Sequence, residues 1–272
     1  MDWSRTKTIF IIAFLILDIF LIFAYLDKRN NSKYDVLQMA TTEQNLSTND
    51  ISYVDLPEGD DKGSYITGNS KKFTDRDIRK LTGQKPEADK SETLLSMKFD
   101  KPIPLPDDNL QEKMKPFIES NILSGSQYTF WRYDKAGKRL IYFQQYNGKT
   151  IFQDDLSANS LGMLVLKIND DNQIYAYQQS MLENLQKNEG DGDTLVSALK
   201  AVEDLLYNNS FDLSKKNKVT KAELGYYTQY PFKGKQALAP AWHLVVNEKD
   251  DYFVNAFRGE VIKANQPKQT LE

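Results

Sequence analysis

The sequence predicts an α+β protein in which one N-terminal transmembrane helix precedes two similar modules, each a helix set against an antiparallel sheet. Three observations predict it. Ile9 to Leu26 reads IFIIAFLILDIFLIFAYL, an apolar run with a single charge. Beyond residue 50, short segments of alternating apolar and polar residues are separated by Gly, Asn and Asp turns. The order helix, then antiparallel meander, occurs twice.

Residues 1–7 form a short tail and 8–26 the membrane helix. At 1.5 Å per residue the apolar run spans about 27 Å, close to the roughly 30 Å of a bilayer's hydrocarbon core. A cleavable signal peptide is the competing reading. Its apolar region is shorter and ends in a small-x-small site, which Phe23-Ala24-Tyr25-Leu26-Asp27 does not offer. The run therefore reads as an uncleaved anchor. Arg5 and Lys7 precede it while Lys28, Arg29 and Lys33 follow, so charge sets no orientation. A short tail before a full domain is the usual exported arrangement, which places the N-terminus in the cytoplasm and the domain outside.

Asp18 stands at the middle of that helix. An Asp there costs about 2.5–3.5 kcal/mol on insertion, and the surrounding Leu, Ile and Phe, at about 0.3–0.6 each, outweigh it. The cost is explained if the carboxyl meets a polar group on a partner helix. The plainer reading is a protonated acid facing lipid.

Residues 27–50 are rich in Asn, Ser and Thr and read as a linker or a short helix with a loop. The first module, 51–155, opens with strands at 51–56 and 64–66. Thr74-Asp75-Arg76-Asp77 caps a short helix to Leu81, and Leu95, Met97 and Phe99 alternate on a strand. Leu110, Met114, Phe117, Ile118 and Ile122 share one face of a helix over 109–122, which Pro116 is expected to kink or end. Strands at 128–133, 140–146 and 150–152 follow, the last pair joined by Asn147-Gly148.

The second module, 156–265, repeats this order, with the boundary in QDDLSANS. A hairpin at 161–181 turns at Asn169-Asp170-Asp171-Asn172. A helix over 194–208 carries Leu195, Leu199, Val202, Leu205 and Leu206 as its stripe. Strands at 219–230, 241–246 and 252–257 close it, and 266–272 is a tail.

The chemistry available is sparse. There is no cysteine, which removes disulfides, thiolate nucleophiles and Cys zinc sites. A net charge of −3 gives no footprint for nucleic acid. The one histidine, His243, lies on a strand facing away from Trp242 and Leu244 and reads as a half-buried polar residue. No G-x-S-x-G or glycine-rich phosphate cradle accompanies it. The pairs Asp60-Asp61, Asp154-Asp155, Asp170-Asp171 and Asp250-Asp251 sit at expected turns rather than across a cleft. Neither Asn169 to Gln173 nor Gly190 to Asp193 has the glycine and terminal Glu of a calcium loop at the right spacing. No catalytic, cofactor-binding or metal residue is assigned, and no small-molecule substrate is expected. The chain carries 15 Tyr, 14 Phe and 3 Trp, paired along strands as at Phe130-Trp131. Outer rings of this kind suit a glycan- or protein-binding surface, although most strand tyrosines are simply half-buried.

The opening MDWSRTKTIFIIAFLILDIFLIF resembles the start of the YycI (WalI) family, in Asp2-Trp3-Ser4, Lys7-Thr8-Ile9-Phe10 and the mid-helix acid. The stretch APAWHLVVNEKDDYFVNAFRGEVIK, from Ala239 to Lys263, is similar to that family's C-terminal module and to PepSY-like repeats. The resemblance implies a non-enzymatic protein of a Gram-positive cell membrane. It implies a YycH-like partner and a regulatory contact, through membrane helices, with the WalK (YycG) sensor histidine kinase that governs genes of cell-wall metabolism. Phe14, Leu15, Asp18, Leu21 and Ile22 then form the candidate partner-helix interface. A cell-wall glycan-binding module and a PepSY-like peptidase-inhibitor or chaperone module are the alternatives.

Overall fold

The computed structural model describes residues 41–58, 62–87, 92–153, 161–188, 190, 192–228 and 234–263, with 3, 7, 10, 11 and 13–22 near the N-terminus. All but Gln153 of the expected boundary at 153–160, most of the linker and the C-terminal tail lie outside the described residues. Residues 13–22 and 41–48 are helical. Among the described residues no helix is long and apolar enough to cross a membrane; residues 8, 9, 12 and 23–26 of the expected span lie outside them.

The first part of the chain contains β1 (Ile51–Tyr53), β2 (Lys62–Gly63), β3 (Ile66–Ser70), α1 (Asp75–Ile78), β4 (Gln84–Pro86), β5 (Leu95–Pro104) and α2 (Leu110–Asn121). Next come β6 (Tyr128–Asp134), β7 (Arg139–Tyr146), β8 (Lys149–Phe152), β9 (Met163–Ile168) and β10 (Gln173–Gln179). The rest is β11 (Leu182–Lys187), β12 (Asp193–Thr194), α3 (Ala198–Tyr207), β13 (Asn217–Tyr227), β14 (Lys235–Val246), β15 (Asp250–Asn255) and β16 (Val261–Lys263). The architecture is mixed α+β, dominated by a branched 14-stranded sheet with few helices.

Local chemistry accounts for the helices. At α1 the Thr74 hydroxyl accepts from the Asp77 N–H while Asp77 Oδ2 accepts from the Thr74 N–H, a reciprocal capping box. The helix stops at Ile78, short of the expected Leu81. α2 runs through Pro116 to Asn121, contrary to the expected break. Met114 and Ile118 are buried and hold it to the sheet. Pro116 and Glu112, whose carbonyl loses its donor, are both exposed, so the missing bond falls on the solvent side of the helix. α3 starts at Ala198 rather than Thr194, because the Ser197 side chain accepts from the Lys200 N–H and fixes the N-terminus there. Thr194 instead pairs with Lys62 in a two-stranded ladder.

Six strands in the order β4–β5–β10–β9–β7–β6 form an antiparallel sheet. The ladder β1–β13–β14–β15–β16 forms another, with β1 parallel to β13 and the remaining neighbours antiparallel. β8 joins the two. It pairs with β7 at Thr150 and with β13 at Ile151 and Phe152. That crossing needs Gly225: a Cβ there would meet the Thr150 carbonyl oxygen at 2.3 Å and the Phe152 ring at 2.4 Å.

Side-chain alternation sorts the apolar residues into layers. Leu140, Tyr142, Leu164 and Leu166 face α2, and Trp242, Leu244 and Val254 face α3. The opposite faces meet each other, with Ile141, Phe143 and Met163 packed against Tyr227, Ala241 and Phe253. The result is four layers, helix–sheet–sheet–helix.

The hairpin at 161–181, which the sequence repeat groups with the later strands, pairs here with β7 and β5. β9 explains the placement. Met163-Leu164-Val165-Leu166 is apolar on both faces, which suits a strand covered on both sides. β1 and β3, from the early part, lie beside β13 and β14. β14 begins six residues before the expected Ala241, its first residues pairing with β3. β11 pairs with β3's other edge and was not expected, since Leu182-Glu183-Asn184-Leu185 breaks the alternation.

Candidate functional site

The candidate interface residues are helical, and the period of 3.6 puts Phe14, Leu15, Leu21 and Ile22 one turn from Asp18 on a common face. All four apolar side chains are more than half exposed, as are Ile16 and Phe20 on the other side. The helix is apolar all round, and the Asp18 carboxyl alone distinguishes one face from another. No contact with the sheet domain buries it.

The chain next meets the domain through helix 41–48. Leu46 is fully buried in the core beneath α3, and Thr42 is buried beside it. Asn45 Nδ2 donates to Glu203 Oε1 at 3.2 Å and to the Tyr207 hydroxyl at 3.3 Å. Glu203 is only 4 % exposed. Burial pushes its carboxyl up, but hydrogen bonds from Lys200, Asn45 and Thr42 together outweigh that and hold it below the usual carboxylate range. Lys200 bridges Glu203 and Asp204, each at 2.9 Å. Burial raises Asp204, whose Oδ2 has no hydrogen-bond partner. Over that oxygen lies Gly259 at φ +70°, where a Cβ would stand 2.2 Å away. The Gly-Glu turn near the C-terminus is thus a close approach to α3.

His243 departs from expectation. It is 1 % exposed, not half-buried. Its Nε2 lies 2.7 Å from Asp251 Oδ1, and its Nδ1 lies 3.8 Å from Glu223 Oε1 with no hydrogen-bond partner. Trp131, Phe152 and Phe253 pack around the ring at centroid distances of 4.6, 5.2 and 5.3 Å. Arg132 approaches the other Asp251 oxygen at 3.7 Å, and Lys221 binds Glu223 at 2.6 Å. Burial pushes Glu223 up, yet His243 and Lys221 hold it below the ordinary value. Both imidazole nitrogens face carboxylates and none of these contacts brings a hydroxyl, so the cluster ties β6 of one sheet to β13, β14 and β15 of the other.

Asp250-Asp251 is the first pair of β15, not a turn. Asp170-Asp171 does sit in its turn, where Asn169 Oδ1 accepts from the Asp171 and Gln173 N–H groups. Asp60-Asp61 and Asp154-Asp155 lie outside the described residues. Among the described residues no group of three or more His, Asp or Glu is placed to hold a metal ion.

No curated protein matches the chain. A solved structure of an uncharacterized protein from Eubacterium rectale ATCC 33656 is similar over 78 % of this chain and 90 % of its own, at 8 % identity and a TM-score of 0.42. The family model of the YycI protein matches residues 30–257. That match runs from before helix 41–48 to the turn preceding β16, and the chain belongs to the YycI family.

Proposed function

We propose that the chain is a non-enzymatic, membrane-anchored regulator of a WalK-type sensor histidine kinase, acting with a YycH-like protein. The family membership supports involvement in that regulatory system. The N-terminal helix crosses the membrane once, with its short tail in the cytoplasm and the α+β domain, including its PepSY-like C-terminal part, outside. One observation carries the mechanism: a single carboxyl, Asp18, on a helix whose other surface is apolar and exposed. In hydrocarbon that carboxyl has a reason to seek a polar group on another helix, and the apolar neighbours supply the packing around it.

Regulation follows from differential contact. If the kinase helix has two positions, this helix favours the one that satisfies Asp18, and a difference of a few kcal/mol shifts the population strongly. Helix 41–48, gripped at Leu46 and Glu203, is where the outer domain takes hold of the chain leading to the membrane. Membrane crosslinking followed by affinity capture of the full-length chain tests the reading. Recovery of a histidine kinase with wild type and its loss with Asp18→Leu support it. Recovery undiminished by the substitution contradicts the polar-pair mechanism, and recovery of peptidoglycan fragments or a peptidase in place of a kinase contradicts the function.

A further inference from the structure

β6 has a free edge. Its ladder is with β7 alone, and beyond its first residue, Tyr128, no other backbone group bonds to its backbone among the described residues. The phase of the ladder shows which groups point outward. The Gln144 N–H donates to the Gly162 carbonyl on the β9 side, at 2.7 Å, so Tyr128 opposite Gln144 turns its own groups away from β7. The Tyr128 N–H is taken by the Gly125 carbonyl. Phe130, two residues on, repeats that phase. After the bulge at Trp131, Tyr133 opposite Leu140 does so again. Phe130 and Tyr133 therefore present backbone N–H and C=O groups to the outside.

That edge forms the floor of a groove. Three adjoining hollows of about 770, 190 and 240 Å³ all share Phe130 and Gln111. α2 supplies one wall through Gln111, Lys115 and Glu119. β13 supplies the other, at one end, through Lys221, Glu223 and Leu224. The groove follows β6 from Tyr128 to Tyr133, about 20 Å at 3.3 Å per residue.

We propose that this groove binds one extended segment of a partner protein, added as a strand to the free edge of β6. An unpaired edge seeks backbone donors and acceptors, and an extended polypeptide supplies both. The walls decide between occupants. α2 along the groove and β13 at one end flank the edge, an arrangement that suits a single strand better than the edge of a second sheet. Charges of both signs line the groove, with Asp107, Asp108 and Lys135 in the largest hollow, Lys115 one turn from Glu119, and Lys221 bound to Glu223, so an anionic polymer finds no uniformly positive track and a neutral, polar strand meets no field of one sign. The Trp131 bulge sends that ring into the joint between the sheets and limits how far pairing extends. This surface is separate from the helical face around Asp18, and it does not depend on what that face binds.

The test uses the full-length chain in detergent micelles, panned with phage displaying random peptides against empty micelles as counter-selection. A recovered peptide is then titrated by fluorescence anisotropy. Gln111→Arg and Ser126→Arg, both at exposed lining positions, are expected to weaken it at least about tenfold with unchanged circular dichroism. N-methylation along the peptide is expected to abolish binding at alternate residues only, the signature of a paired strand. Failure to recover a peptide, affinity unchanged by both substitutions, or an N-methyl profile without alternation overturns the proposal. So does a chito-oligosaccharide whose binding is lost in the same two variants while peptides show none.

Discussion

Asn45 Nδ2 donates to Glu203 Oε1 at 3.2 Å, joining the helix that leads toward the N-terminus to α3 across 158 residues of sequence. A buried carboxylate at such a joint is costly to disturb, because removing it takes one of two partners from both the Lys200 ammonium and the Asn45 amide. Glu203→Ala is expected to lower unfolding free energy by about 1–3 kcal/mol, measured by urea titration of the full-length chain in micelles. Glu203→Gln, which keeps shape and hydrogen bonding to Asn45, should cost less.

The same residue sets an acid-side pH dependence. Glu203 and Glu223 are both held below the ordinary carboxylate value in the folded state. A depressed folded value means stability that is present above the unfolded glutamate value, about 4.3, and is lost as pH falls through the folded one. Thermal melting from neutral to acidic pH should therefore fall below about pH 4–5. In Glu203→Gln the fall should be shallower; an unchanged slope would show that Glu203 gains nothing from its partners.

His243 fills the space between three aromatic rings and satisfies Asp251. His243→Ala leaves a cavity and an under-bonded carboxylate at once, with an expected cost of about 2–4 kcal/mol in urea unfolding. A cost below about 1 kcal/mol would mean the joint between the two sheets is held elsewhere.

Gly259→Ala meets two penalties, the left-handed backbone and the approach of Asp204 Oδ2. A loss of more than about 1 kcal/mol is expected. In an Asp204→Ser background the backbone strain persists while the contact is relieved, so the two losses should sum to more than the double mutant shows.

Much of this was legible residue by residue. The spacing of Leu110, Met114 and Ile118 marks α2, Asn147-Gly148 marks the β7–β8 turn, and the alternation of Trp242, His243 and Leu244 assigns their faces correctly. Partner choice between strands was not legible, because alternation fixes which face is buried and leaves the neighbour open. That is why β9 and β10 lie beside β7 and β5. The His243–Asp251 contact had a signal that went unused. The turn at 247–249 sets Val246 opposite Asp250, and counting back from it brings residues 243 and 251 to one face. Pro116 misled because the rule against helical proline weighs the local cost alone, whereas Met114 and Ile118, buried on either side of it, hold α2 against the sheet.

The central claim is that the Asp18 face meets a kinase helix, and site-specific photo-crosslinking in living membranes tests it most directly. A photoreactive residue at Leu21, beside Asp18, is compared with one at Phe20 on the opposite face. The account predicts a crosslink to a sensor histidine kinase from position 21, none from position 20, and loss of the first when Asp18→Leu is added. Equal crosslinking from both positions, or a crosslink at 21 that survives Asp18→Leu, would contradict it.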